Sequence, residues 1–443
     1  MPSVDVVVLG CGWAGILASY FILRKNPNLK VVCIEASSTP GGLFKSQYVN
    51  GFIFDIGGSH VIFSSDSCVL QEMLMLLEGN VISHNRHAYI YTDGTLVPYP
   101  FENGIYVLPP EIRAELATHF ILAQIELMKK RNWRPRNLRD WIVNVFGKAI
   151  AERYLIPYNK KIWKRPLEQI SADWVYIPGR LPQPDIHNIM RSVAGIPTIG
   201  YVENAYFYYP AKGGIQALYD AILQELKNRD KSLSIKKGER VKVLKKLNDG
   251  YLINNRFKVD KVISTIPLPE LVETMSAPED VIKAARRLDY NQVIVVGVAL
   301  DRPAPKQHWI YVPQHDIIFH RYAWISNYSE YNAPQGKSAV IAEITVPKNS
   351  PINVEWVKNK VLEDLSKIGI IRKEEILFVR AWVHTYGYPI YTISHKSDRE
   401  IITNWLSEQD IIMLGRWGSW HYWNMDKVYE NVLKTINNIA FRL

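Results

Sequence analysis

Three glycines near the start of the chain, Gly10, Gly12 and Gly15, follow an apolar run and precede a periodic run typical of a helix. Glycine lets a backbone turn tightly and approach a pyrophosphate, whose charge is stabilised by amides at the helix N-terminus. A second apolar run ends at Glu35, where a carboxylate can accept hydrogen bonds from ribose hydroxyls. Strand, glycine loop, helix, strand and acid together predict a dinucleotide-binding Rossmann unit.

The elements that must position this loop divide the chain into alternating segments. Residues 1–69 and 201–275 carry the strand patterns of the nucleotide-binding unit, and residues 401–443 return to it. Residues 70–200 have a mainly helical pattern, whereas residues 276–400 contain several β-rich runs. We therefore predict an α/β fold in which a Rossmann-like domain is interrupted by a helical insertion and by a mixed or antiparallel β-sheet domain that binds substrate.

Composition narrows the class of protein. A length of 443 residues predicts two or three domains, and hydrophobic and aromatic fractions of 47% and 12% indicate a folded protein with pockets. The net charge of +10 is scattered along the chain, which favours an anionic small molecule over nucleic acid as the partner. The three cysteines, Cys11, Cys33 and Cys68, lack metal or disulfide spacing. Without a basic leader or an apolar stretch long enough for a bilayer, we expect a cytoplasmic protein that does not insert stably into membranes, of open oligomeric state and without a metal.

Further glycines point to one type of dinucleotide. The pair Gly41 and Gly42 follows Glu35, the pair Gly57 and Gly58 comes later, and residues 414–418 form another glycine-containing loop near the end. Each pair alone is explained equally well by an ordinary loop. Together they resemble the FAD-binding superfamily that includes amine oxidases, protoporphyrinogen oxidases and UDP-galactopyranose mutases. The resemblance implies FAD as the cofactor.

Aromatic and arginine segments resemble eukaryotic-type UDP-galactopyranose mutases more specifically. The resemblance extends over nearly the whole chain and rests on residues 96–103, 158–163, 209–214, 319–322, 326–332, 387–389 and 415–422. In that family the pyranose and furanose forms of a UDP-linked galactose interconvert without net redox change, and the reduced flavin attacks the anomeric carbon. The resemblance therefore implies a flavoenzyme that binds a UDP-sugar or another anionic small molecule and works in its reduced state, with NADPH as one candidate reductant.

The resemblance also assigns site residues. Those placed closest to the reaction are His60, which would lie near the isoalloxazine, and Arg180 and Arg321, which would clamp the diphosphate. Those that would surround the rest of the substrate are Tyr99, Phe101, Tyr158, Asn159, Trp163, Tyr311, Tyr388, Tyr422 and Asn424. Those that would bind FAD are Gly10, Gly12, Gly15, Glu35, Gly41, Gly42, Gly58, Val241, Gly415, Arg416 and Met425.

Several of these residues have a simpler interpretation. Arg321 lies in an aromatic strand pattern, where a buried ion pair would satisfy its charge as well as a diphosphate would. Arg180 is equally explained as a surface loop arginine, and His60 as a histidine satisfied within the core. Two departures from the family pattern stand out: Ser59 separates the glycine pair from the histidine, and Glu102 replaces an amide expected against uracil.

Two other functions are compatible with the same motifs. The first is a redox enzyme of the amine oxidase or protoporphyrinogen oxidase type, in which oxidised flavin accepts a hydride in an aromatic cage. The second is a flavoprotein scaffold or sensor without catalytic activity. Arg321 and the tyrosine hydroxyls favour a dianionic ligand, and therefore the mutase, over an apolar substrate.

Overall fold

The computed structural model describes residues 4–177, 183–198, 205–228 and 233–440. Within these ranges, the strands in chain order are β1 (Val4–Leu9), β2 (Val31–Glu35), β3 (Ser46–Val49), β4 (Phe52–Asp55), β5 (Ile82–Asn85), β6 (Ala88–Thr92), β7 (Thr95–Pro98), β8 (Tyr206–Tyr209), β9 (Leu233–Lys237), β10 (Leu244–Leu247), β11 (Gly250–Ile253), β12 (Phe257–Ser264), β13 (Asp289–Leu300), β14 (Trp309–Tyr311), β15 (Arg321–Ala323), β16 (Ser338–Pro347), β17 (Ile376–Ile390) and β18 (Ile412–Met413). The α-helices are α1 (Trp13–Lys25), α2 (Ser67–Leu76), α3 (Phe101–Gly104), α4 (Pro110–Lys129), α5 (Leu138–Ile150), α6 (Ile156–Trp163), α7 (Ile186–Val193), α8 (Gln216–Asn228), α9 (Leu268–Glu273), α10 (Glu279–Arg287), α11 (Val354–Lys367), α12 (His395–Glu408), α13 (Gly415–Gly418) and α14 (Met425–Asn438).

The first sheet is the predicted nucleotide-binding unit. Its order is β10-β11-β12-β1-β2-β9, and β18 pairs in parallel with Ile263 and Ser264 at the end of β12. Strands β12, β1, β2 and β9 run parallel, and β10, β11 and β12 form an antiparallel meander. Its central strands are apolar throughout because helices cover both faces: α1, α8 and α14 on one side and α9, α10 and α12 on the other. The predicted α/β fold is therefore confirmed.

The second sheet has the order β17-β13-β16-β15-β14-β6-β7. All of its pairings are antiparallel except β14 with β6, so the sheet is mixed, as predicted. Helix α11 packs on one face with an apolar cluster, and the other face turns toward the nucleotide-binding unit. On this second face, Arg321 of β15, Glu343 of β16 and Tyr388 of β17 line the cavity between the two sheets.

The helical insertion is less purely helical than its sequence pattern predicts. Helices α4, α5 and α6 form its core, with a π-helical turn over Ala151–Leu155. Residues 82–98, however, form β5, β6 and β7, and the β6–β7 hairpin extends the second sheet. Alternating burial along Ala88–Thr92 shows the two-residue period of a half-buried strand, which the sequence reading overlooked. The segment limits at 69, 200, 275 and 400 stay a prediction.

Candidate active site

A cavity of about 800 Å³ extends from the glycine loop to an aromatic pocket beside the second sheet. This volume lies within the usual range of ligand and cofactor sites. Of the predicted residues, those on its wall are Gly10, Gly12, Glu35, Gly41, Gly42, His60, Tyr99, Tyr158, Asn159, Trp163, Val241, Tyr311, Arg321, Tyr388, Arg416, Tyr422, Asn424 and Met425. Residues from all five predicted segments therefore meet at one site.

The glycine loop requires glycine for reasons visible in its backbone. Gly10 has a φ of +87°, which side chains other than glycine rarely adopt. A Cβ on Gly15 would lie 2.0 Å from the carbonyl oxygen of Gly10, so any side chain there would displace the loop. Gly12 is different, since its nearest neighbour would be the Gly42 Cα at 3.7 Å. Gly15 thus allows the helix to pack closely against the Gly10 carbonyl, while Gly12 leaves space on the side of the loop that lines the cavity.

The predicted ribose-binding acid lies on the cavity wall and is held by the backbone. Glu35 accepts hydrogen bonds from the amides of Cys11 at 2.9 Å and Ser37 at 2.8 Å, one on each carboxylate oxygen. An ionised carboxylate has about four acceptor positions, so two remain for a ligand. The side chain is therefore fixed in position and still able to bind ribose hydroxyls.

Two further glycines, Gly58 and Gly415, shape the wall without lining it, as Gly15 does. Gly58 has a φ of +106°, and a Cβ there would lie 2.9 Å from the Glu343 carboxylate. Gly415 has a φ of +76°, and a Cβ there would lie 2.3 Å from the Cβ of Ala14. Gly15, Gly58 and Gly415 were predicted to contact the cofactor, but the structure places them behind residues that do line the cavity. Their role is close packing of backbone against backbone or side chain.

These residues fit an extended dinucleotide such as FAD. The glycine loop and the Gly41–Gly42 turn leave a channel that side chains would fill, and Val241 and Met425 line it farther along. Met425 begins α14, whose N-terminal amides can stabilise an anion. Arg416 donates to the Gly387 carbonyl at 3.1 Å, yet its buried Nε–H has no hydrogen-bond partner among the described residues. A ligand in this part of the cavity could accept a hydrogen bond from that Nε–H group.

A buried ion pair lies at the other end of the cavity. Arg321 on β15 faces Glu343 on β16 directly across the antiparallel pairing. Two hydrogen bonds of 3.0 and 2.7 Å join the guanidinium to the carboxylate, and the Glu343 side chain is 1% exposed. Burial alone would raise the pKa of Glu343, but the attraction of Arg321 outweighs it and holds that pKa below its ordinary value. The ion-pair interpretation of Arg321 is thus realised, while the side chain also lines the cavity.

Two other groups bind the same carboxylate. The Ser59 amide donates to Glu343 at 3.0 Å, and the Tyr388 hydroxyl donates to it at 3.2 Å. Ser59, the extra residue after the glycine pair, also shares a hydrogen bond with the Tyr328 hydroxyl. Glu343 therefore connects the glycine pair of the nucleotide-binding unit with β15, β16 and β17 of the second sheet.

Tyrosine and tryptophan rings form the wall of the pocket. The Tyr311 ring lies 5.1 Å from that of Tyr99 and 5.4 Å from that of Tyr158, while Tyr388 and Tyr422 are 5.6 Å apart. The Arg416 guanidinium lies over Tyr422 at 4.4 Å, a favourable cation–π distance. Burial raises the pKa of Tyr158 and of Tyr388, so both hydroxyls stay protonated and can donate at neutral pH.

Asn159 and Trp163 act together on α6. The Trp163 indole N–H donates to the side-chain oxygen Oδ1 of Asn159 at 3.0 Å. The side-chain Nδ2 of Asn159 in turn donates to the Leu155 backbone carbonyl at 2.8 Å. Trp163 is 2% exposed and packs 5.6 Å from the Tyr422 ring. In this conformation Asn159 orients a buried tryptophan of the cavity wall.

Two predicted substrate-binding residues are not placed at the cavity wall. Phe101 is fully buried and stacks 5.3 Å from Tyr154, which does line the cavity, so Phe101 supports the wall from behind. The sequence pattern could not distinguish the two because both are aromatic residues of helical segments, and tertiary packing decides which ring faces the cavity. Arg180 lies outside the described residues, and its role stays a prediction.

His60 lies on the wall between the glycine pair and the aromatic pocket. Its Nδ1 is 3.0 Å from the Gly58 carbonyl oxygen. Burial lowers the pKa of His60 to about 4, with Arg416 and Arg321 acting in the same direction and Glu343 opposing them. The imidazole is therefore neutral at physiological pH and donates through Nδ1–H to Gly58.

Two important residues were missed by the sequence reading. Glu343 is the single charged residue in the apolar run Ser338–Val346, and that isolation was an available signal. His320 lines the cavity beside Tyr158, is 1% exposed, and has a pKa lowered by burial to about 3. Its Nδ1 has no hydrogen-bond partner among the described residues, a feature that sequence does not reveal.

Two kinds of feature are absent from the described ranges, a metal-binding cluster and a membrane-spanning helix. No group of three or more histidine, cysteine, aspartate or glutamate side chains there has an arrangement that holds a metal ion. No helix in the described part of the chain combines the length and apolar character needed to cross a bilayer.

Comparison with known proteins identifies the family. The model of the family described as flavin-containing amine oxidoreductase matches residues 13–409. The chain belongs to this family. FAD is therefore the cofactor that the family implies, in agreement with the glycine loops of the cavity.

Individual relatives differ in their activities. A crystal structure of reduced UDP-galactopyranose mutase superposes with a TM-score of 0.88 at 25% identity, over 98% of this chain and 94% of that one. Coproporphyrinogen III oxidase of Staphylococcus aureus (strain NCTC 8325 / PS 47) is 24% identical over 183 residues, 38% of each chain. Human protoporphyrinogen oxidase is 24% identical over 330 residues, 66% of this chain. The aligned regions span 38% and 65% of these two relatives' own lengths.

Proposed function

We propose that this protein interconverts the pyranose and furanose forms of a UDP-linked sugar, UDP-galactose, with FAD in its reduced state. The observation that carries the proposal is the aromatic end of the cavity, where protonated tyrosine hydroxyls and two arginines converge beside the flavin-binding loops. The likeness in fold to reduced UDP-galactopyranose mutase over 98% of the chain supports it.

The pocket suits a ligand with an aromatic base, a diphosphate and a sugar. The rings of Tyr99, Tyr158 and Tyr311 offer faces and edges against which a uracil base can pack. The Arg321 N–H groups that Glu343 does not bind and the unpartnered Nε–H of Arg416 offer donors for phosphate oxygens. The Tyr388 hydroxyl donates to Glu343 and so helps to hold that carboxylate against Arg321. Charge-assisted donors fixed in a cavity shielded from water position a reactant without further reorganisation.

Chemistry at the sugar needs a nucleophile that these side chains do not supply. The reduced flavin, when bound, would provide it at the anomeric carbon. The protein would hold the diphosphate against Arg321 and Arg416 so that the leaving group departs along a fixed direction. His60, neutral and tied to the Gly58 carbonyl, would add no positive charge beside the flavin.

A second candidate is an FAD-dependent oxidoreductase of the protoporphyrinogen oxidase type. The observation in its favour is that two of the sequence relatives are porphyrinogen oxidases. Against it, the buried Arg321–Glu343 pair and the tyrosine hydroxyls make the pocket polar where a porphyrinogen would need apolar walls.

Anaerobic turnover of UDP-galactofuranose separates the two candidates. The purified flavoprotein is assayed with its flavin oxidised or reduced by dithionite, and the products are resolved by chromatography. Conversion to UDP-galactopyranose in the reduced state alone supports the mutase. Absence of conversion in both states, together with oxygen consumption on protoporphyrinogen or coproporphyrinogen, would favour the oxidoreductase.

A further inference from the structure

Helix α4, Pro110–Lys129, has apolar side chains on two of its sides, although only one of these sides is buried. Leu116, Ala117 and Phe120 pack into the core of the helical segment. On the other side, the exposed large apolar side chains are Ile121 at 39%, Leu122 at 55%, Ile125 at 44% and Met128 at 80% exposure. These four residues are called the apolar stripe. A helix that is apolar all round normally has both sides covered.

The apolar stripe is a concentrated feature of the molecular surface. Its residues follow the three- and four-residue spacing of one helix face, so their side chains form a continuous ridge. Among the described residues, no other helix or strand carries more than two exposed large apolar side chains. Contiguous apolar surface of this kind usually marks an interaction site.

The charges at the ends of the apolar stripe have opposite signs. Glu111 and Glu115 are exposed in the first turns of α4, while Lys129 and Lys130 are exposed at its end. Lys129 forms an exposed ion pair of 2.6 Å with Glu126, a type of contact that contributes little. Along the helix, the exposed face is therefore acidic at its start, apolar in the middle and basic at its end. A second copy of the helix in the antiparallel direction would place its basic end beside this acidic end.

We propose that the apolar stripe is a dimer interface, in which α4 pairs antiparallel with α4 of a second copy of this chain. A two-fold axis through Leu122 places Glu115 of one copy opposite Lys129 of the other, because both lie seven residues, or two helical turns, from Leu122. The centre then buries Ile121, Leu122 and Ile125 of both copies. The acidic and basic ends form two equivalent charge contacts at its rim.

A membrane surface fits these observations less well. An anionic bilayer would attract Lys129 and Lys130 but repel Glu111 and Glu115, which lie on the same exposed face. A second copy satisfies both ends at once. The stripe faces away from the core that carries Tyr154 and Tyr158, so the proposal is independent of the reaction at the cavity.

Sedimentation velocity of the flavin-loaded protein over a range of concentrations tests the interface. We expect a monomer–dimer equilibrium in the wild type and a dissociation constant at least about tenfold higher for Leu122→Glu, since like charges would face each other at the axis. Trp356→Glu, which alters a 57% exposed apolar residue on α11, is the matched control and should leave the equilibrium unchanged. Flavin absorbance and circular dichroism verify that each variant is folded.

A charge exchange makes the test specific to the antiparallel register. Glu115→Lys and Lys129→Glu should each weaken the dimer, and the double variant should restore it. A wild type that stays monomeric at every concentration, or a dimer insensitive to Leu122→Glu, would overturn the proposal. So would a monomer that binds phosphatidylserine-containing vesicles through Leu122, since this would assign the apolar stripe to a membrane surface.

Discussion

The two ends of the cavity are built by different means. The dinucleotide end depends on the absence of side chains at three glycines, Gly10, Gly12 and Gly15. All three lie within one stretch of six residues. At the aromatic end, Arg321 and Glu343 have charges that neutralise each other, and the two residues, 22 positions apart in the chain, meet through the pairing of β15 with β16. Backbone shape is thus encoded locally, whereas charge compensation depends on residues that meet only in the folded protein.

Both ends of the cavity contain residues that line it and residues that pack behind the lining. Gly15 and Gly58 lie behind the cavity wall and permit close packing, and Phe101 has the same supporting position at the aromatic end. Gly12 and Arg321 line the cavity itself. Substitution of a supporting glycine such as Gly15 should first affect folding, and substitution of Gly12, which lines the cavity, should first affect the ligand.

The largest effect is expected at the glycine loop. Gly15→Ala should yield protein without flavin and with a markedly lower thermal midpoint, because its Cβ would lie 2.0 Å from the Gly10 carbonyl oxygen. Gly12→Ala should leave the apoprotein near wild-type stability, since its Cβ meets nothing closer than 3.7 Å, yet reduce flavin content by filling the channel. The flavin-to-protein absorbance ratio and the apoprotein melting temperature check both. Equal stability of the two apoproteins would remove the distinction.

The next largest effect is expected at the ion pair. Glu343→Ala leaves the Arg321 guanidinium uncompensated in a buried position and should lower the free energy of unfolding by about 3–5 kcal/mol. Denaturant unfolding measures this change. The exposed pair of Lys358 and Glu355 is a control, and Glu355→Ala should cost less than about 1 kcal/mol. A loss at Glu343 no larger than that of the control would contradict the structural role.

The ligand role of Arg321 predicts a smaller effect, on binding. Arg321→Ala should weaken UDP binding by about 2–3 kcal/mol, the usual contribution of a charged hydrogen bond. The matched control is Arg165→Ala, because Arg165 forms a similar two-bond pair with Asp289 away from the cavity. Calorimetric titration with UDP should show unchanged affinity for the control. An unchanged affinity for Arg321→Ala as well would leave Arg321 as a purely structural residue.

The smallest effect concerns His60 and pH. Its folded pKa of about 4 lies below the ordinary 6.5, so between these values the unfolded chain binds more protons and stability falls as pH is lowered. From pH 7 to pH 5 this group should account for about 2 kcal/mol of lost stability. Urea unfolding of His60→Gln apoprotein should therefore show a shallower pH dependence than wild type. The exposed His187→Gln serves as control, and identical slopes for His60→Gln and wild type would refute the assignment.

Local patterns predicted the nucleotide-binding unit closely. The strand before Gly10, the helix from Trp13 and the strand ending at Glu35 all form as expected, because each combines an apolar period with a glycine turn inside one βαβ unit. The pattern failed at β6, where the two-residue alternation of Ala88–Thr92 was too short to stand out from a helical segment. Pairing with β14, a strand more than 200 residues later, decides that structure.

The sequence by itself determined the family, the dinucleotide loop and about a third of the residues of the cavity wall, since glycine spacing and aromatic segments are local properties. Only the tertiary structure decided that Glu343 neutralises Arg321, that Ser59 is bound to that same carboxylate, and that Phe101 lies behind Tyr154. The physical reason is that burial and charge compensation depend on which strands become neighbours. The register of β15 against β16 brings one arginine and one glutamate, 22 residues apart, into direct contact.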